Sequence, residues 1–391
     1  MWHSSEGEFT AEGKQCSRPG CCSWDASVIE AILLVGGQGT RLRPLTATTP
    51  KPMLPVAGQP ITVHQIRRAR AAGVGRVVLG TSYRADVFTR ALGDGADLGI
   101  DVAYAHETTP LGTGGAIRNA AEELNCGPND PVVVFNGDII NGLDIAALVD
   151  GHVSSGSAVT LHLTTVEDPR RYGLVPTDET GRVLTFLEKP ETEAEIVTNQ
   201  INAGCYVFRR SVIDRIALGR PVSVERETFP GLLRDGDLVR GVVDDSYWLD
   251  LGTPWDYVQG SVDLVTGRAP GAQIPSGAQI RGGQSLVLDG ANVSPEATLS
   301  GGTTIDRGCV VAADAIVDGC VVMTNVHIGQ GARLFRSAVG AGAKIEAGAV
   351  ITEAVVGDGA RIGRDAVIGA GARIGVGAVV PDGITVTANS D

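Results

Sequence analysis

The sequence predicts two architectures in succession: a mostly parallel, mixed α/β domain over residues 28–265 and a parallel β-helix over residues 274–388. Three observations predict this. From Val28 to about Val265, apolar strand-like runs alternate with helix-like runs. After Ile274 aromatic residues almost vanish. In their place an aliphatic residue returns every sixth position, a period that no helix has and that one hexapeptide per flat side of a coil explains.

Taken in order, VIEAILLV (28–35) reads as a buried strand, and TVHQIRRARAAG (62–73) as a helix that Gly73 is placed to stop. RVVLGTS (76–82) and DVAYAHE (101–107) read as strands, with ADVFTRALGDG (85–95) as the helix between them. TGGAIRNAAEEL (113–124) puts Ile117, Ala121 and Leu124 on one helical face. PVVVFNGDII (131–140) reads as one buried strand carrying Asp138 near its end, and Asp144 is placed to cap the helix that follows. Repeated β-α order implies a sheet covered by helices on both faces, with ligands at the carboxyl ends of its strands. The loop after Val35 and Asp138 both fall there.

In the second region Ile328 and Leu334, then Val339, Ile345 and Ile351, then Val356, Ile362, Ile368, Ile374 and Val380 recur six apart, with two one-residue slips between the groups. Weaker hexads run through Ile305, Val311 and Val317. This region resembles the left-handed β-helix of hexapeptide-repeat proteins. Many of those are acyltransferases with a histidine base. His327 is the one histidine here and is expected to be a surface or edge residue, which leaves the β-helix a structural part.

A net charge of -13 argues against nucleic acid as a partner. No apolar run approaches the roughly 18 residues of a membrane span, and the N-terminus lacks a secretory core. A cytoplasmic protein is expected. Residues 1–27 read as a disordered extension; its Cys16, Cys21 and Cys22, with His3, match no common zinc spacing. Cys126, Cys205, Cys309 and Cys320 read as small core residues.

The stretch LLVGGQGTRLRPLTATTPKPMLPVAG (33–58) concentrates three glycines with Arg41, Arg43 and Lys51. Gly36, Gly37 and Gly39 leave backbone N–H groups open to phosphate. Neither the dinucleotide fingerprint nor the P-loop pattern is met. Arginine can clamp phosphate through two donors, and Pro50 and Pro52 restrict Lys51.

This stretch resembles the signature of the sugar-1-phosphate nucleotidyltransferases. PLGTGGAI (110–117), FNGD (135–138), YGLVPTD (172–178), FLEKP (186–190), INAGCYVF (201–208) and YWLDLGTPWDY (247–257) resemble further family segments in the same order. The resemblance implies a Rossmann-like catalytic domain, Mg²⁺, and attack of a sugar 1-phosphate on the α-phosphorus of a nucleoside triphosphate. It also implies the site. Arg41, Lys51 and Lys189 would be catalytic. Leu34, Gly36, Gly37, Gly39, Thr40, Gly112 and Thr113 would bind the nucleotide. Gly173, Glu188, Lys189 and Asn202 would bind the sugar phosphate, and Asp138 and Asp250 the metal. SVERETFPGLL (223–233) resembles the branch that makes GDP-mannose from GTP and mannose 1-phosphate, with Glu225 expected to support the sugar end. Related branches use glucose 1-phosphate with UTP, dTTP or ATP. An acyltransferase tail or a non-catalytic regulatory subunit are the other readings. A homo-oligomer is expected.

Overall fold

The computed structural model describes residues 29–388 apart from 83, 189, 191, 272, 273 and 283. The N-terminal extension and its cysteines lie outside the described residues.

Strand β1 (Ile29–Leu34) is central because it is apolar on both sides. It pairs in parallel with β2 (Val74–Thr81) and with β4 (Pro131–Asn136), and β2 pairs in parallel with β3 (Asp101–His106). Alternate β1 side chains enter different cores. Ala31 and Leu33 join a cluster with Ile66 of α1 (Ile61–Ala71), Phe88 of α2 (Ala85–Leu92) and Leu148 of α4 (Ile145–Ser155). Ile32 instead packs in the cluster holding Ile117 of α3 (Gly112–Ala120). Each fully buried aliphatic contributes about 1.5–3 kcal/mol, and this two-sided burial keeps β1 in register. Asp144 caps α4 through the Ala147 amide at 3.0 Å.

The 131–140 run does not stay one strand. Gly137 donates its N–H to the Leu34 carbonyl at 2.9 Å, and a Cβ there would lie 2.4 Å from that oxygen. The chain turns at this contact, so Asp138 sits in a turn and β5 (Ile139–Asn141) leaves the main sheet. The 113–124 helix likewise ends at Ala120 and tightens into a short 3₁₀ turn, Ala121–Glu123. Beyond α4 the sheet becomes mixed. Strand β9 (Gln200–Arg209) runs antiparallel to β4 and to β6 (Val159–Thr165), and β10 (Val239–Val243) adds to β6 in parallel. Short strands β7 (Gly173–Leu174) and β8 (Leu187–Glu188) extend the β9 side. Strand β11 (Trp248–Asp250) pairs with β5, and α5 (Pro254–Val265) follows.

The second region is the expected left-handed β-helix, three parallel sheets with each coil lending a strand to each. Val287 pairs with Ile305, then Val322, Val339, Val356 and Ile374. The one-residue slips fall at the same corner of successive coils, so the inward aliphatics still stack. Arg336 and Glu353 take positive φ at that corner. One face of the β-helix is not free. Leu286, Leu288, Val321, Met323, Ala338 and Val355 share a core with Leu42, Leu45, Leu251 and Tyr257 of the α/β domain.

Candidate active site

The glycine-rich loop leaves β1 with Val35 donating to the Gly80 carbonyl at 3.0 Å. A Cβ on Gly36 would lie 2.8 Å from Ser82 Oγ, whose hydroxyl donates to the Gly36 carbonyl at 2.5 Å. Gly39 adopts φ 59, and a Cβ there would lie 2.8 Å from Lys51 Cβ. Gly39 thus lets the loop close on the Lys51 stem, and Thr46 Oγ1 donates to its carbonyl at 2.8 Å. Leu42 and Leu45 are buried and anchor the loop from below.

Above the carboxyl ends of the parallel strands lies a cavity of about 650 Å³. Leu34, Gly36, Gly37, Lys51, Gly112, Thr113 and Asp138 line it. Gly112 has φ 67 and a Cβ there would meet the Val222 carbonyl at 2.7 Å. Gly39 and Thr40 do not line this cavity. Gly39 supports Lys51, and Thr40 is exposed at the start of the turn Thr40–Leu42.

Lys51 is buried, donates to Asp138 Oδ2 at 2.7 Å and lies 3.7 Å from Asp250 Oδ1. Pairing of Asp250 with Ile139 brings the second aspartate here, and Leu251 donates its amide to the Asp138 carbonyl at 3.0 Å. Burial first, then the Asp138 charge, raise the Asp250 carboxyl above its ordinary value; Lys51 and Arg41 pull it back. Arg41 lies outside the cavity lining but beside this acid. A Cβ on Gly252 would sit 3.1 Å from both Arg41 Nη1 and Asp250 Oδ2.

Asp250 Oδ1 is buried with no hydrogen-bond partner, a costly state for a carboxylate oxygen. Two convergent carboxylates with one oxygen orphaned fit a hard divalent cation that takes its remaining ligands from phosphate and water. Among the described residues no group of three or more His, Cys, Asp or Glu gathers to cage a metal alone.

On the sugar side Gly173 faces Glu188 across the β7–β8 pair. Lys189 lies outside the described residues. Strand β9 bulges between Asn202 and Tyr206. Within the bulge Asn202 Nδ2 donates to the Tyr206 hydroxyl at 2.8 Å and its Oδ1 accepts from the Gly204 amide at 3.0 Å. Trp248 Nε1 donates to the Ala203 carbonyl at 3.0 Å and meets Tyr172 edge-on at 5.5 Å.

Glu225 is tied to a residue that lines the cavity. Its carboxylate accepts from the Thr113 hydroxyl at 3.0 Å and from Ser223 Oγ at 2.9 Å, at the cavity rim. Sequence reasoning missed Glu107, which lines the cavity and accepts from the Leu111 amide at 3.1 Å. Burial raises its carboxyl. His327 is exposed on an outer face, in register between Val310 and Lys344.

A glycine-rich anion loop, paired aspartates and a cavity at the strand ends define a nucleotide-handling α/β enzyme. The chain belongs to the nucleotidyl transferase family, which residues 30–267 match, while residues 298–387 match the GlmU-like C-terminal hexapeptide family. It is 53% identical over 306 residues to the mannose-1-phosphate guanylyltransferase of Mycobacterium tuberculosis, covering 78% of this chain and 82% of that protein. With mannose-1-phosphate guanylyltransferase 1 of Arabidopsis thaliana it shares 37% identity over 86% of this chain and 88% of the relative. Among solved structures it is similar to HddC from Yersinia pseudotuberculosis complexed with GMP-PN, with TM-score 0.51 and 28% identity over 60% of this chain and 98% of that one. Enzymes of the nucleotidyl transferase family generally use a divalent metal. No helix among the described residues is long and apolar enough to cross a membrane.

Proposed function

We propose that the protein transfers GMP from GTP to mannose 1-phosphate, forming GDP-mannose and pyrophosphate with Mg²⁺ as the metal. The observation that carries the reaction type is the Lys51–Asp138–Asp250 cluster, two of whose members, Lys51 and Asp138, line the cavity. The names of the relatives and Glu107 support guanine. Guanine presents two adjacent N–H donor groups on one edge, which a carboxylate can accept together. Adenine and the pyrimidines place an acceptor on that edge, and a buried carboxylate left facing it loses its partners.

The nucleophile needs no general base, because a phosphate monoester is already an anion near neutral pH. A phosphate oxygen of mannose 1-phosphate forms a bond to the α-phosphorus, the α–β phosphoanhydride bond breaks, and pyrophosphate leaves. The obstacle is charge, so positioning and neutralisation supply the rate. The open amides of Gly36 and Gly37 hold phosphate oxygens. Lys51 and Arg41 offset the negative charge that builds on the triphosphate. Lys189 meets the sugar phosphate, while Gly173, Glu188 and Asn202 hold the sugar. Asp138 and Asp250 would hold the cation, which when bound screens the two phosphates from each other.

The test is pyrophosphate release for GTP, ATP, UTP and dTTP, each paired with mannose 1-phosphate and glucose 1-phosphate. GTP with mannose 1-phosphate should be fastest, and only with a divalent metal. A clear preference for UTP or dTTP with glucose 1-phosphate would overturn the specificity and leave the reaction type standing. No release with any pair, from folded protein with metal present, would favour a regulatory subunit.

A further inference from the structure

The docked face of the β-helix has a repeating outward position. Reading along it, that position holds Leu286, Thr304, Val321, Ala338 and Val355, all buried, and then Arg373, which is exposed. The corresponding outward positions of a second sheet are Asn292, Val310, His327, Lys344, Arg361 and Val379, and none of them is buried. The apolar ladder is thus a docking surface, and it ends in an arginine where it reaches the glycine-rich loop.

Arg373 Nη1 donates to the Arg41 carbonyl at 2.9 Å and to the Arg43 carbonyl at 3.1 Å. One coil earlier, Asp358 accepts from the Thr48 hydroxyl and also from the Ala341 amide at 2.9 Å. Two coils therefore hold the loop at Arg41 and Arg43 and again at Thr48. Hydrogen bonds at an exposed site add little to stability. They do fix direction: with its own carbonyl and that of Arg43 tied to one guanidinium, the Arg41 backbone has little freedom to turn its side chain away from Asp250.

We propose that Arg373 is a positioning residue for Arg41, so that the last coils of the β-helix form part of the scaffold of the catalytic loop. This rests on the reading that Arg41 acts on the triphosphate. The β-helix then serves the reaction from outside the cavity, without touching substrate. Arginine suits the position because the two N–H groups of Nη1 are held in the guanidinium plane and can serve two carbonyls in a fixed geometry, whereas a lysine ammonium rotates on a flexible stem.

The experiment is a double-mutant cycle on the full chain with Arg41→Ala, Arg373→Ala and both together, plus Arg373→Lys, read as kcat/KM for GTP, KM for mannose 1-phosphate, and Tm. Arg373→Ala should lower kcat/KM for GTP by roughly ten- to a hundredfold. Its KM for mannose 1-phosphate and its Tm should stay near those of the parent. Arg373→Lys should recover part of the loss. In the Arg41→Ala background, Arg373→Ala should add almost nothing. An equal loss in both backgrounds, no loss in either, or a loss that follows a fallen Tm would overturn the inference. Near-parent activity of Arg41→Ala alone would instead remove the underlying role of Arg41.

Discussion

The amide of Leu251 donates to the carbonyl of Asp138 at 3.0 Å, and this backbone bond sets Asp250 beside Asp138, which lines the cavity. Their carboxylates then share one buried lysine, Lys51, at 2.7 and 3.7 Å. The arrangement concentrates like charge where a metal and two phosphates must meet.

Asp138→Asn and Asp250→Asn should each lower turnover by about a hundredfold or more with the fold retained. Asp250→Asn should also raise Tm at neutral pH. The Asp250 carboxyl is pushed up by burial and by Asp138, so folding favours its protonated form. Stability from this group is present at low pH and is lost as pH rises through the folded pKa. A neutral amide removes that loss. Steady-state pyrophosphate release and calorimetry at pH 7.5 check both statements, and near-parent turnover in a folded variant would strip that residue of its role.

Glu107→Gln should narrow the preference for GTP. We expect kcat/KM for GTP to fall about ten- to a hundredfold while the low rate with ATP holds or rises. The ratio of the two rates is the measurement. An unchanged ratio would place guanine recognition elsewhere in the cavity.

Lys189→Ala should raise KM for mannose 1-phosphate about tenfold or more, in line with loss of a charged hydrogen bond, and leave KM for GTP close to the parent value. The reverse pattern would move Lys189 from the sugar phosphate to the triphosphate.

Stability should fall on the acid side between pH 6.5 and about 4. Burial, aided by Arg209, pushes His152 down to about 4; burial, with Arg68, does the same for His162 while Asp244 opposes it. Both imidazoles stay neutral in the fold and protonate first in the unfolded chain. Each therefore costs up to about 3 kcal/mol across that window. Urea midpoints at pH 7 and pH 5 for the parent and for His152→Gln with His162→Gln test this. The double variant should lose less over the interval; equal losses would assign the acid sensitivity to other groups.

Much of the site was legible in local sequence because each part is short and chemically biased. Gly36, Gly37, Lys51, Gly112, Thr113 and Asp138 all line one cavity, and each belongs to a short segment that resembles a segment of the nucleotidyltransferase family. Glu107 was not legible. A lone glutamate after a strand has no distinctive pattern, and only the fold of α3 over that strand turns its carboxylate inward. Glu225 was half legible: its segment resembled a family segment, but its hydrogen bond to Thr113, 112 residues away, is a long-range contact that only the fold makes.

The six-residue rhythm determined the β-helix by itself, because inward stacking depends only on a repeat along the chain. The α/β order determined the parallel core in the same way, since strands buried on both sides must read as continuous apolar runs. Tertiary structure decided the rest. Whether 131–140 was one strand or two turned on the close approach of Gly137 to the Leu34 carbonyl, a contact between distant segments that the missing Cβ permits. The grip of Arg373 on the loop depends on which of three equivalent faces docks against the catalytic domain. Local periodicity is the same on all three faces, and only the apolar ladder and the surface it meets break that equivalence.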